Sequence, residues 1–373
     1  MRRDSTATVK MKPLGLNPQN VNRVLIYRLG SLGDTVVALP ALHLVARTFP
    51  NARRLMLTNF PVHAKAPAAS AIIGESDLVH GYISYPVGTR NLLELTRVWQ
   101  SIRRFRPEIL IYLVKPRGDR VVNRDVRFFK LCGIKRITGL PIRELAEPLY
   151  FPESDMWEHE SERLLRTIRE LGESDIEDLK NWDLRLTDTE QNKARQLLSP
   201  ISGQPFIACG PGTKMQAKDW GKENWRQLLT RLGAVLPGHA LLLVGAKEDS
   251  SVSDYSAVGW QGPVLNLCGQ VTPRETAAVM MGAELFLGPD SGPMHLAAAQ
   301  GVPCIIAFAS RDRRGYWFPV GKHHQVVYHT MDCSLCRLEI CIRQKKKCLT
   351  SISVDEMLQA ALLAMEHKEI VGL

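Results

Sequence analysis

The sequence predicts an α/β protein of two domains, each a parallel sheet flanked by helices, with a ligand cleft between them. Three observations predict it. Short apolar runs alternate with helix-period segments through residues 23–140, and the alternation restarts near 205 after a break. A chain of 373 residues is too long for one typical core. Each half also carries a strand–helix turn dense in Gly, Asp and Ser, and open α/β sheets bind ligands just past the carboxyl ends of strands.

In the first half, RVLIYRL (23–29) is a compact apolar strand, and the helix-period TVVALPALHLVARTF places a helix over 34–48. Strand 53–58, a helical stretch before Gly74, strand 79–84 and helix 90–105 follow. Strand 109–114, helix 119–131 and a short strand near 136–140 complete the half. Residues 141–200 break the rhythm with Pro141, Pro148 and Pro152, an amphipathic helix in MWEHESERLLRTIRELG and the polar run ESDIEDLKNWD, and read as a connector. The second half runs strand 205–209, helix 222–235, strand 240–244, helix 248–257, strand 264–267, helix 273–282, strand 284–288, helix 292–300 and strand 304–308. A long loop follows, then a capping box in SVDE opens a closing helix. The expected organisation is a flexible segment 1–22, an N-terminal domain with its connector over 23–185, a C-terminal domain over 186–352, and a helix over 353–373 that packs back on the N-terminal domain.

Composition narrows the class. A hydrophobic content of 45% and a charged content of 23% are those of a globular chain. The N-terminal run has no apolar core of a secretory signal, and no stretch approaches the roughly 20 apolar residues of a membrane span, so a cytoplasmic location is expected. The net charge of +10 favours an anionic partner, whether nucleic acid, anionic membrane or phosphorylated substrate. The basic residues look scattered, through RTFPNARR, SIRRFRPE, KPRGDR and RQKKK, as solvated faces are. Cys132, Cys209, Cys268 and Cys304 lie in apolar strand-like surroundings as buried thiols. Cys333, Cys336, Cys341 and Cys348 cluster more tightly than a two-knuckle zinc pattern, and are either a structural metal site or reduced thiols in a basic loop.

The chemistry concentrates in three turns. After the first strand, Gly30-Ser31-Leu32-Gly33-Asp34 lets backbone approach a ligand and sets Asp34 at a helix start. After strand 205–209, Gly210-Pro211-Gly212-Thr213-Lys214 with Lys218 can clamp a pyrophosphate. After strand 284–288, Asp290-Ser291-Gly292-Pro293 opens a helix whose unpaired N–H groups favour phosphate, with His295 one turn on. Taken singly, each is also an ordinary turn: Asp34 or Asp290 as a cap, His295 half buried, the lysines solvated.

Together, RVLIYRLGSLGDTVVALPAL, KMQAKDWGKENW, LLLVGAKED and LGPDSGPMHLAAAQGVPCIIAF resemble glycosyltransferase family 9, the ADP-heptose:lipopolysaccharide heptosyltransferases, over residues 23–365. That resemblance implies the GT-B fold, two Rossmann-like domains with parallel sheets facing a central cleft. It implies an inverting transfer of heptose from ADP-heptose to an acceptor hydroxyl of the lipopolysaccharide core. Asp34 matches the family's proposed catalytic aspartate. Gly33, Thr213, Lys218, Asp290, Ser291, Gly292, Pro293 and His295 match donor-binding positions, with Glu248 a candidate for the ribose. His295 either touches phosphate or orients Asp290. Lys115, Arg117 and Arg120 are acceptor candidates on the N-terminal side of the cleft.

The implied partners are a nucleotide sugar and an anionic glycolipid at the inner membrane surface, and no nucleic acid. No cofactor is expected, and no catalytic metal, since no Asp-x-Asp pair stands at a strand end. Two other readings differ in class. The same fold with another nucleotide sugar, or with a protein or small-metabolite acceptor, leaves these turns unchanged. A basic Cys-cluster nucleic-acid-binding protein leaves the turns unexplained and shows no recognised module. A dehydrogenase is disfavoured by the missing GxGxxG.

Overall fold

Strands whose side chains are apolar on both faces must be buried on both faces, and VLIY, ILIY, FIAC, ALLL and CIIAF therefore build the centres of two parallel sheets. A computed structural model describes residues 15–60 and 68–371. The first half contains β1 (Arg23–Tyr27), α1 (Leu32–Val36), α2 (Leu39–Thr48), β2 (Arg53–Thr58) and α3 (Ser70–Ile73). It continues with β3 (Tyr82–Ser84), α4 (Leu92–Phe105), β4 (Ile109–Tyr112), α5 (Asp119–Leu131) and β5 (Arg136–Thr138). These strands form one sheet in the order β3-β2-β1-β4-β5, every pair parallel. The helix expected over 34–48 is two helices. Pro40 lacks an N–H and fits only a first turn, so α2 restarts at Leu39.

The connector holds an antiparallel hairpin, β6 (Tyr150–Phe151) and β7 (Met156–Trp157), then α6 (Glu160–Thr167) and α7 (Asp188–Leu197). The hairpin occupies the start of what the sequence presents as one amphipathic helix. The second half contains β8 (Phe206–Cys209), α8 (Lys222–Val235), β9 (Ala240–Leu243), α9 (Ser250–Ala257), β10 (Val264–Asn266) and α10 (Pro273–Met280). It ends with β11 (Phe286–Pro289), α11 (Gly292–Ala299), β12 (Cys304–Phe308), β13 (Gln325–Tyr328), α12 (Lys347–Thr350) and α13 (Val354–Val371). Its sheet runs β10-β9-β8-β11-β12-β13, again all parallel. The strand β13 lies in what the sequence presents as a loop.

Two expectations are corrected. Within the segment expected to be flexible, residues 15–22 are fastened down: Val21 is buried, Leu16 packs on the core, and Arg136 donates to the Gly15 carbonyl at 2.8 Å. Residues 1–14 of that segment lie outside the described residues. The closing helix α13 packs on α8, β12 and β13 of its own half, not on the N-terminal domain. Its Met357, Ala360, Ala361 and Ala364 fill a core with Trp220, Leu228 and Leu229, and Trp220 donates its indole N–H to the Ile352 carbonyl.

One hydrophobic core runs through both halves, joining α1, α2 and α3 to α10 and α11. The fastener is Arg274 of α10, which is buried. Its guanidinium donates to Glu190 of α7 at 2.6 and 2.9 Å, and to the carbonyls of Ile73 at 3.0 Å, Leu184 at 2.9 Å and Arg185 at 2.9 Å. One planar fork thus ties α3, the connector and the second half together. Arg274→Ala strands a carboxylate and several carbonyls, and should lower unfolding free energy by about 3 kcal/mol. Arg274→Lys should recover only part, because an ammonium cannot serve all these acceptors. Chemical denaturation of the two variants checks this. Equal stability of wild type and Arg274→Ala would refute the fastener.

Candidate functional site

The first turn is built around Asp34. Beyond β1 the chain turns through Gly30 at φ +143°, where any side chain would run into Asp34. Asp34 lies in the first turn of α1, and its Oδ2 accepts from the Ser31 N–H and Oγ–H, each at 2.8 Å. Its Oδ1 lies 2.5 Å from Lys115 Nζ, and Lys115 in turn sits 3.9 Å above the ring of Trp317 from the second half. From below, Arg28 donates to the Asp34 carbonyl (Nε at 3.0 Å) and to the Leu113 carbonyl at 2.5 Å. Burial alone pushes the Asp34 carboxyl up. Lys115, Arg28 and the Ser31 hydrogen bond outweigh it and hold the group well below the usual carboxylate range. Asp34 is therefore ionised throughout the neutral range, as a base must be, and only weakly basic while Lys115 stays on it.

The second half faces this turn with its own. Lys218, ending a 3-10 turn, makes an ion pair of 2.6 Å with Asp290, which is buried at the end of β11. Ser291 caps α11 in extended conformation, its Oγ buried without a partner, and Pro293 fills a first-turn position that needs no N–H. Thr213 is half-buried, its Oγ1 accepting from the Met215 N–H at 3.4 Å. Glu248 is exposed on a 3-10 turn past β9, where neighbouring Asp249 does the capping by accepting from the Ala246 N–H at 2.9 Å. His295 is buried, and burial with Lys218 nearby pushes its imidazole down to about 4 against the pull of Asp290 and Asp34. A neutral imidazole gives or takes a hydrogen bond but adds no charge to an anion.

The two turns touch. A Cβ on Gly33 would lie 2.8 Å from the His295 ring, and one on Gly292 would lie 3.1 Å from Leu32. Glycine stands at both positions because the backbone of one half approaches side chains of the other. Asp34, Lys115, Lys218, Asp290, Ser291, Gly292 and His295 consequently share one crevice at the carboxyl ends of both sheets.

Other candidates fall elsewhere. Arg117 donates to Asp125 at 2.7 Å and to the Tyr27 hydroxyl at 3.1 Å, holding α5 on the sheet. Arg120 is exposed on α5. Cys333, Cys336, Cys341 and Cys348 are free, and among the described residues they form no group able to hold a metal ion. Their loop lies spread against the donor segment instead. Ala217 N–H donates to the Glu339 carbonyl at 3.0 Å, Cys341 N–H to Gln216 Oε1 at 2.8 Å, and Lys346 Nζ to Asp219 at 3.0 Å.

Beneath the crevice lies a charge cluster that motif reading misses. Glu160 accepts from Arg163 at 2.7 and 2.9 Å and from the Tyr316 hydroxyl at 2.6 Å, and lies 3.7 Å from Arg28. Arg28, Glu160 and Arg163 are all fully buried. The one available signal was an arginine interrupting the apolar run RVLIYRL.

Comparison with known proteins places this geometry. The sequence profile of "Glycosyltransferase family 9 (heptosyltransferase)" matches residues 153–347. Lipopolysaccharide heptosyltransferase 3 of Escherichia coli is 32% identical over 120 residues, 31% of this chain and 34% of that protein. Lipooligosaccharide heptosyltransferase 2 of Campylobacter jejuni is 22% identical over 357 residues, 92% of this chain and 99% of that protein. Among solved structures, a family 9 glycosyl transferase from Veillonella parvula superposes with a TM-score of 0.71 at 16% identity, covering 95% of this chain and all of that one. The E. coli heptosyltransferase WaaC with ADP gives 0.62 at 16% identity, covering 92% and 99%. At such identities the structures show the shared fold, which is GT-B.

The Asp34–Lys115 pair yields a titration test. A carboxylate whose folded pKa is depressed adds stability above its unfolded value near 4, and that stability is lost as pH falls through the folded value. Lys115→Met should raise the Asp34 pKa toward its unfolded value, so that the stability contributed by Asp34 is smaller and its loss on acidification is complete at a higher pH than in wild type. Carboxyl carbon NMR of the two proteins reads the shift, and an Asp34 titration unmoved by Lys115→Met would contradict the assignment.

Proposed function

The chain belongs to glycosyltransferase family 9, the heptosyltransferases, and from that membership we propose an inverting, metal-independent transfer of heptose from ADP-heptose to a hydroxyl of a lipopolysaccharide-core acceptor. The contact between the 30–34 and 290–295 turns carries the reading. It sets an ionised carboxylate from one domain against a cation, a buried carboxylate and a helix start from the other.

In this reading the acceptor hydroxyl enters beside Asp34, which takes its proton as the oxygen attacks the anomeric carbon. The bond from that carbon to the diphosphate breaks on the opposite face, and ADP leaves with the electron pair. Lys218, Thr213 and the backbone N–H groups of Ser291 and Gly292 receive the diphosphate charge. Asp290, paired with Lys218 before the donor binds, turns to the sugar hydroxyls, and neutral His295 supports it by hydrogen bonding. Lys115 holds Asp34 ionised, and its departure from the carboxylate raises basicity when the acceptor arrives. Glu248 hydrogen-bonds the ribose in this reading. The acceptor is an anionic glycolipid on the cytoplasmic face of the inner membrane. No helix among the described residues is long and apolar enough to cross a membrane.

Mass spectrometry of products from ADP-heptose and core acceptors tests the activity, and no heptosylated product from wild type would defeat it. Asp34→Asn should cut turnover by about 100-fold or more while leaving ADP affinity nearly intact by calorimetry. Turnover near that of wild type would remove Asp34 from the mechanism.

Transfer should also persist in excess EDTA at unchanged fold, because protein cations and N–H groups stabilise the leaving group. Activity lost in EDTA and restored by Mg²⁺ or Mn²⁺ would refute the metal-free route. Loss with unfolding, restored by Zn²⁺, would instead assign the four-cysteine loop a structural metal.

A further inference from the structure

The net charge of the chain is not evenly spread. Residues 90–136 hold thirteen Lys and Arg against four Asp and Glu, a net of +9 out of the chain's +10. This region is β4, the short β5, and the two helices α4 and α5 that cover the outer face of the first sheet. Asp125, one of the four acids, is buried against Arg117 and Arg124, and Glu94 is half-buried and bonded to Thr89.

On that basic face stand large apolar side chains that are exposed among the described residues. Leu92 is 77% exposed and Leu93 70%, at the start of α4; Leu131, ending α5, is 73% exposed, and Trp99 is 37% exposed. Trp99 joins the two helices, donating its indole N–H to the Leu131 carbonyl at 3.2 Å with Arg103 over its ring, and Leu92 and Leu93 stand nearer the start of the same helix. Leu92, Thr96, Trp99 and Arg103 follow helical spacing, so apolar and cationic side chains share one outward stripe. Only Val98 and Ile102 of α4 are buried, a narrow attachment for a 14-residue helix.

We infer that the α4–α5 face is a docking surface for an anionic lipid bilayer. Exposed leucines and a tryptophan ringed by arginines match the acyl–headgroup boundary, where apolar side chains insert and cations meet lipid phosphates. A polyanion such as nucleic acid would use the charge but gives the leucines no apolar phase. The placement agrees. Helices leave parallel strands at the carboxyl edge of the sheet, so Leu92 and Leu93 lie on the edge that carries Asp34. The segment leading into α5 carries Lys115 to the Asp34 carboxylate. A bilayer on this face therefore lies beside the N-terminal side of the crevice, where a membrane-anchored acceptor must arrive. The inference rests on the lipid-anchored acceptor of the proposed function for its purpose, while the surface itself is tested separately.

The full-length protein is sedimented with vesicles of phosphatidylethanolamine and phosphatidylglycerol, and with neutral phosphatidylcholine vesicles. Wild type should partition to the anionic vesicles and scarcely to the neutral ones. Arg97→Gln and Arg104→Gln should each weaken binding about fivefold. The double variant Leu92→Gln, Leu93→Gln should weaken it by about tenfold or more, and Ile342→Gln, equally exposed on the cysteine loop, should leave it unchanged. Failure to bind anionic vesicles, equal binding to neutral ones, indifference to the leucine substitutions, or loss in Ile342→Gln would each overturn the assignment. So would an oligonucleotide binding this face while vesicles do not. With a deacylated, water-soluble acceptor the leucine variant should keep wild-type turnover, and with a vesicle-embedded acceptor it should fall about tenfold with its binding. Wild type inactive on both acceptors would sink the proposed transfer, while the sedimentation results would still decide the docking face.

Discussion

Everything in the crevice stands on Glu160. A buried carboxylate is tolerable only when its charge is matched and its lone pairs are filled, and Arg163, Arg28 and Tyr316 do both. Each partner comes from a different part of the chain: the connector, the end of β1, and the loop after β12. Meeting the needs of one carboxylate therefore fixes three segments at once. Arg28, so placed, holds the Asp34 carbonyl and adds to the field on its carboxylate. Tyr316, so placed, brings the next residue, Trp317, over Lys115. Removing Glu160 would leave two guanidiniums without their carboxylate in the protein interior, so this polar cluster specifies an arrangement that apolar packing alone would leave free to slide.

The central strands were legible because burial on both faces leaves uninterrupted apolar runs, and α5, α8 and β12 were legible to the residue. The misses share a cause. β6 and β7 are two residues each and have no room for a periodic pattern, and QVVY of β13 is made a strand by its neighbour β12. The capping box before α13 announced a helix, but not what it packs upon, because a local signal carries no information about the partner surface. Of the site, Asp34, Lys218, Asp290 and His295 could be read, since each sits in a turn whose glycines mark close backbone approach. Arg28, Glu160 and Tyr316 could not: Glu160 and Tyr316 are 156 positions apart, and nothing local in either segment names the other. The partner of Arg117, Asp125, was not legible either, because a basic residue after a strand looks the same whether it faces a ligand or an internal carboxylate. Of the four basic runs, SIRRFRPE and KPRGDR fall in the segment that forms α4, β4 and α5, whereas RTFPNARR and RQKKK lie elsewhere in the fold.

The electrostatics of the crevice divide the labour between charge and hydrogen bonding. Asp34 is held anionic and His295 neutral, so neutral pH changes neither group. Positive charge comes from lysines, which reach in from the rim, while the deeper positions are kept for groups that orient. Lys218 and Asp290 neutralise each other in the absence of ligand, which keeps a buried carboxylate from standing alone.

Lys115 has one contact in each domain, the Asp34 carboxylate on its own side and the Trp317 ring on the other. The ring covers one side of an ammonium that otherwise stands at the rim, and a cation over an aromatic face is held by the ring's quadrupole. One ammonium thus reports to both halves at once: the carboxylate it neutralises and the ring it rests on belong to different domains, so the charge balance around Asp34 and the seating of one domain on the other share a single side chain.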